Sequence, residues 1–218
     1  MKYTEQQLIE NYNTFIKIIS SSFTGERHRK LLFLYNEDNF GYRLTYCPAS
    51  SKEHYHSSYP GGYIDHVNNV YKSAIGLKKV WEFMGGVIDF TDEELAFVSL
   101  NHDLGKLGDL QHGEYYIEQD NEWALKNKGE IYKINPDLQY MSVADRTLYT
   151  LQQFEISCTW KEYLAIKLIR GMFEDANKPY LANNNKDFDL KTNLPRILSE
   201  AEYIACRVES DKFKVETD

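Results

Sequence analysis

His66, His102 and Asp103 are the residues whose types and placement suit a chemical task, and that task is holding a divalent metal ion. An ion that activates water needs neutral imidazoles and carboxylates converging from different elements, with one coordination position left open. Singly, each residue has a plainer reading, because a histidine on a helix face is usually a core or surface residue and a His-Asp dipeptide occurs anywhere. Their pairing on two apolar helices favours the metal. Neighbours on a helix point about 100° apart, so His102 and Asp103 share an ion only if it lies off the helix wall between them. A fourth ligand from another helix is therefore expected. The segment Ser199-Glu200-Ala201-Glu202-Tyr203-Ile204-Ala205 supplies acidic side chains in otherwise apolar surroundings, and Glu209 and Asp211 are substitutes farther along. His54 and His56 stand just before a Tyr-Pro-Gly-Gly turn and suit substrate binding or proton transfer to a leaving group. His56 ranks above His54. His28 and His112 read as surface residues, and Asp109 after Gly108 as a turn residue.

The elements that must position these residues follow from periodicity and caps. Thr4 with Gln7 makes a capping box before Leu8, Ile9, Tyr12, Phe15, Ile16 and Ile19, which predicts a helix over 4–20. A second helix fits 25–36, and 38–59 reads as a long loop. Tyr59-Pro60-Gly61-Gly62 then opens a helix over 61–84, with Ile64, Val67, Val70, Ala74, Leu77 and Trp81 on one stripe. Thr91 with Glu94 caps the next helix, which runs through Leu95, Val98 and Leu104 to Gly105. A short connection favours antiparallel packing, which brings His66 near the start of one helix to His102-Asp103 near the end of the other. Residues 106–141 break the helical rhythm. There Trp123-Ala124-Leu125 and Ile131-Tyr132-Lys133-Ile134 flank Asn127-Lys128-Gly129, predicting a hairpin inserted over the site. Helices resume over 142–156 and 160–170, a loop rich in Asn, Asp and Lys fills 171–193, and a last helix covers 194–212.

Asn101-His102-Asp103-Leu104-Gly105-Lys106, preceded by Tyr59-Pro60-Gly61-Gly62-Tyr63-Ile64-Asp65-His66, resembles the HD superfamily of metal-dependent phosphohydrolases and phosphodiesterases. The Gly-Gly turn ahead of the first metal histidine is similar to the HD module of certain exonucleases and nucleotide hydrolases. The resemblance covers roughly 54–212 and implies an all-α, HD-type helical bundle with a small β-hairpin insertion near the site. By position, His66 matches the first metal histidine and His102-Asp103 the pair that names the superfamily. The late Ala-Asp dipeptide of the superfamily is matched by Ala201-Glu202, so Glu202 stands in the fourth ligand's place with one methylene more. The further histidines of two-metal members are replaced by Leu168-Ile169-Arg170-Gly171, which implies one ion: manganese, iron, nickel, cobalt or magnesium. Attack of activated water on phosphorus is the implied reaction, with Asp103 ligating the ion and orienting the water and Lys106 holding a substrate phosphate. Two other classes stay open: a non-catalytic HD domain that binds a nucleotide or protein partner, and an oxygenase that would need histidines absent at 168–171.

Composition bounds these readings. A chain of 218 residues suits one domain, with N-terminal helices and a loop over 1–53 and the HD core over 54–212. The formal charge of −8, from 33 acidic and 25 basic residues, argues against a broad grip on duplex nucleic acid and favours a nucleotide or a short single strand. Tyr115, Tyr116 and Trp123 in the insertion suit base stacking or plain packing. No uninterrupted apolar run reaches membrane-spanning length and the first residues lack a secretory core, so no membrane partner and a cytoplasmic location are expected. Cys47, Cys158 and Cys206 lack close spacing and read as reduced and mostly buried.

Overall fold

A computed structural model describes residues 3–182 and 189–217. In α1 (Glu5–Ser22) the Thr4 hydroxyl accepts the Gln7 N–H at 3.3 Å, while the Gln7 side chain takes the Thr4 N–H at 2.9 Å. The helix buries Leu8, Phe15 and Ile19 along one face. After α2 (Gly25–Leu34), the predicted 38–59 loop contains a short helix, α3 (Gly41–Tyr46), whose last turn includes Arg43.

The central helix, α4 (Gly62–Phe83), starts from two glycines used for different reasons. Gly61 adopts φ 84°, a left-handed conformation that costs a side-chain-bearing residue energy. Gly62 lies so close to the Ser57 carbonyl that a Cβ would come within 1.9 Å of its oxygen. α5 (Asp92–Asn101) opens on the Thr91–Glu94 box, with reciprocal bonds of 3.0 and 2.9 Å. Seven of its residues, Leu95 to Asn101, are buried, so it runs through the core rather than along its surface.

The insertion holds a hairpin, but not between the predicted segments. β1 (Tyr116–Glu118) pairs antiparallel with β2 (Tyr132–Ile134), Tyr116 opposite Ile134. Trp123-Ala124-Leu125 belongs to α6 (Glu122–Lys128) instead. The Asn121 side chain accepts the N–H groups of Trp123 and Ala124, and Gly129 ends the helix at φ 61°. Asn127-Lys128-Gly129 is thus a helix terminus, not a hairpin turn. α7 (Val143–Gln153) and α8 (Trp160–Lys167) follow, the latter with a Thr159–Glu162 capping box. Between 171 and 182 the predicted loop holds two single 3₁₀ turns and α9 (Lys178–Leu181); its centre, 183–188, lies outside the described residues. α10 (Leu194–Thr217) is five residues longer than the predicted 194–212.

α4 packs along both α5 and α10, and α10 also packs on α8. The shared core runs from Phe15 to Ala205, with Tyr35, Val67, Val70, Phe97, Leu100, Leu198 and Ala201 fully buried. Phe23 meets Phe97 edge to face at 6.3 Å, which adds geometric preference to the area buried. Among the described residues no helix is long and apolar enough to cross a membrane.

Candidate metal centre

His66 sits one turn into α4, on the face that meets α5 and α10. His102 is the C-cap of α5, and Asp103 has already left the helix at φ −104°, ψ 11°. The predicted helix to Gly105 therefore ends earlier, at Asn101, and gives way to a 3₁₀ turn over Leu104–Leu107. Two side chains enforce this ending. Asn101 accepts the buried Tyr35 hydroxyl at 2.6 Å and donates to the Phe97 carbonyl at 2.7 Å. Thr147 of α7 accepts the Gly105 N–H at 2.8 Å and donates to the His102 carbonyl at 3.2 Å. The break frees His102 and Asp103 from the angular separation of helical neighbours, so both reach the same point.

Ligand atoms of His66, His102 and Asp103 all lie within 4.8 Å of one another. Asp103 Oδ2 is 3.6 Å from His66 Nε2 and 3.7 Å from His102 Nε2. Both histidines are fully buried, and neither Nε2 has a hydrogen-bond partner among the described residues. Their other nitrogens are used: His102 Nδ1 lies 2.9 Å from the Ser99 carbonyl and His66 Nδ1 lies 3.2 Å from Glu209 Oε2. Acceptors at Nδ1 hold that side of each ring and leave Nε2 facing the shared point. This nitrogen, nitrogen and oxygen donor set fits a divalent ion.

The electrostatics agree with ligation. Burial lowers His102, keeping it neutral. Burial alone would raise Asp103, but the Lys106 ammonium at 2.6 Å and the two histidines hold its carboxyl well below the ordinary range. Lys106, despite burial that opposes its charge, is raised by Asp103. His56 is lowered to about 3 by burial and by the charges of His66 and Lys106. Its ring lies 4.8 Å from that of His66.

The structure thus brings together His66, His102, Asp103, Lys106 and His56. Glu202 is not among the residues whose ligand atoms meet His66, His102 and Asp103; its carboxylate accepts the Cys206 thiol at 3.4 Å. Glu209 takes a supporting place behind His66, where it also accepts Ser57 Oγ at 2.9 Å and Asn69 Nδ2 at 2.8 Å. Burial would raise its carboxyl, but the bond to and charge of His66, with the Asn69 bond and the charge of His56, lower it to about 2. His54 is exposed and packs edge-on against Tyr55, and His28 is half-buried beside Ser20. Asp109 is the turn residue expected: its carboxylate accepts the backbone N–H groups of Gln111 and His112 and meets the exposed His112 ring.

Arg43 escaped the sequence reading because its segment looked like a loop. Its guanidinium donates from Nη1 to the carbonyls of Leu107, Asp109 and Gly113 at 3.1, 2.7 and 3.0 Å, pinning the chain just beyond Lys106. Asn69 had one available signal, since it lies three residues after His66 on the same helix face. In the hairpin, Tyr116 is half-buried and feels the charge of Lys106, whereas Trp123 is 60% exposed on α6. Comparisons with protein-family models, with curated proteins and with solved structures find no match for this chain, so its functional reading rests on this geometry.

Proposed function

We propose that this chain is a metal-dependent phosphohydrolase of the HD type, cleaving a phosphoester bond in a nucleotide or a short single-stranded nucleic acid. The observation that carries this reading is the pair of fully buried imidazoles whose Nε2 atoms lack partners and converge with Asp103. Burying an unsatisfied polar nitrogen costs roughly 1–3 kcal/mol, so two aimed at one point call for a shared occupant. One divalent ion, whether manganese, iron, nickel, cobalt or magnesium, would supply Lewis-acid activation of water and neutralise phosphate charge.

The protein's own groups fit a phosphate substrate. Lys106 retains its charge beside Asp103 and offers a point charge to a phosphate oxygen while orienting the carboxylate. Neutral His56 has a buried Nε2 without a partner among the described residues, suiting a hydrogen bond to substrate oxygen. Tyr116, beside Lys106 on the hairpin, supplies an aromatic face next to the charged groups. The acidic surface favours a small substrate over a long polymer. A second reading, a non-catalytic HD domain that binds a nucleotide, is favoured by Glu202 standing outside the converging ligands.

Metal-free protein supplied with each of the five ions should be screened against nucleoside mono-, di- and triphosphates, cyclic nucleotides and short oligonucleotides. Turnover with at least one ion, abolished by His102→Ala, is expected. No turnover with any ion, or equal rates for wild type and His102→Ala, overturns the hydrolase; calorimetric nucleotide binding without product would then select the binding domain.

A further inference from the structure

A pocket of about 780 Å³ opens between α2, α7 and the 109–112 turn, and none of His56, His66, His102 and Asp103 lines it. Its volume falls within the roughly 300–1,000 Å³ of small-molecule sites. Phe33, Phe40, Tyr149 and Phe154 give it aromatic walls, with the Phe154 ring 5.9 Å from those of both Phe33 and Phe40. Phe33 and Tyr149 are 58% and 45% exposed, apolar surface that an occupant would cover. Arg146, also in the lining, is only 3% exposed. It donates from Nη2 to the Gln139 carbonyl and sets Nη1 3.6 Å from Asp109 Oδ2, but its Nε–H is buried with no hydrogen-bond partner among the described residues. A buried donor left unpaired is costly, and an acceptor on a molecule in the pocket would satisfy it. The charged groups of the lining are already matched, Arg146 and His112 to Asp109 and Lys30 to Glu155 at 3.6 Å, so no surplus charge awaits an ionic ligand.

We propose that this pocket is a second binding site, separate from the metal centre, for an uncharged purine as a free base or nucleoside. The ring is flat and stacks on phenyl or phenol faces whatever its substituents. Its nitrogens are acceptors, which is what the Arg146 Nε–H lacks. Its edge sets donors beside acceptors, and the exposed amides of Gln111 and Gln153 in the lining offer the same pairing in return. A phosphate, by contrast, would have to compete with Asp109 and Glu155 for cations that those carboxylates already neutralise.

Calorimetric titration of the metal-free protein with adenosine and with guanosine tests this without an activity assay. Wild type should bind one equivalent of at least one of them. Phe33→Ala and Tyr149→Ala, both at exposed positions, should each weaken that binding at least about fivefold, with an unchanged circular dichroism spectrum. Arg146→Lys, which keeps the charge but removes the Nε–H, should weaken it as well. His102→Ala and Lys106→Ala should bind as wild type does. Failure of wild type to bind either nucleoside at millimolar concentration, or affinity unchanged in both Phe33→Ala and Tyr149→Ala, overturns the pocket while leaving the metal centre standing. Binding lost in Lys106→Ala overturns it too, and places the purine at the metal centre instead.

Discussion

His66 and His102 each spend Nδ1 on the protein and keep Nε2 for something else, and the two backing acceptors differ in kind. A backbone carbonyl fixes His102, whereas Glu209, itself held by Ser57 and Asn69, fixes His66 with a negative charge. Carboxylate backing raises ligand basicity and locks ring orientation. Glu209→Gln should therefore weaken metal binding by roughly 10–100-fold while leaving the fold intact, as read by competition with a chelator; unchanged affinity would contradict the supporting role. Burial lowers His102, and burial with the charges of His66 and Lys106 lowers His56 to about 3 from an ordinary 6.5. Between pH 6.5 and about 3 the unfolded chain thus binds protons that folded His56 refuses. Stability of the metal-free protein must fall as pH drops through that window, by at most about 1.4 kcal/mol per pH unit for each such proton. His56→Gln should flatten the fall in melting temperature, and parallel curves for the two proteins would refute the assignment. The convergence of His66, His102 and Asp103 was legible from residue type and context. Glu209 was legible only as an acid near the site, because a sequence does not say which imidazole nitrogen an acid meets.

Elements carry the geometry that these side chains need. The Gly61-Gly62 start of α4 brings the 57–62 turn into contact with itself, and Ser57 in that turn donates to Glu209. In Gly62→Ala the new Cβ would meet the Ser57 carbonyl oxygen at 1.9 Å, and backbone must move. A loss of about 1–3 kcal/mol in urea unfolding is expected, together with weaker metal binding. Gly76, in the same helix, is exposed, and a methyl group added there would meet nothing within 4 Å. Gly76→Ala should instead stabilise by roughly 0.5–1 kcal/mol, and equal effects at the two positions would remove the close approach as the explanation. Threonine caps made α1, α5 and α8 legible, since each satisfies exposed N–H groups by a rule local in sequence. The hairpin was misplaced because the strand propensity of Trp123 lost to Asn121 and Gly129, which cap a helix from both ends. The end of α5 was overextended because Thr147, 45 residues beyond His102, decides it.

Across the whole molecule, one core links α1, α2, α4, α5, α8 and α10, and the candidate metal site lies where α4, the end of α5 and α10 meet. A mostly helical chain with one two-stranded sheet was legible from its periodicity. The meeting of His66 with His102-Asp103 followed from antiparallel packing of α4 and α5, an inference from a short connection. The role of α10 was only partly legible: Glu202, expected there, reaches His102 by its charge, and Cys206 and Glu209 also approach the histidines, as helix rotation and side-chain length decide. An anomalous-scattering map from a crystal grown with zinc or cobalt tests the central claim most directly. One strong peak within bonding distance of His66 Nε2, His102 Nε2 and an Asp103 carboxylate oxygen is the expected result; a map with no peak at that position under saturating metal would contradict it.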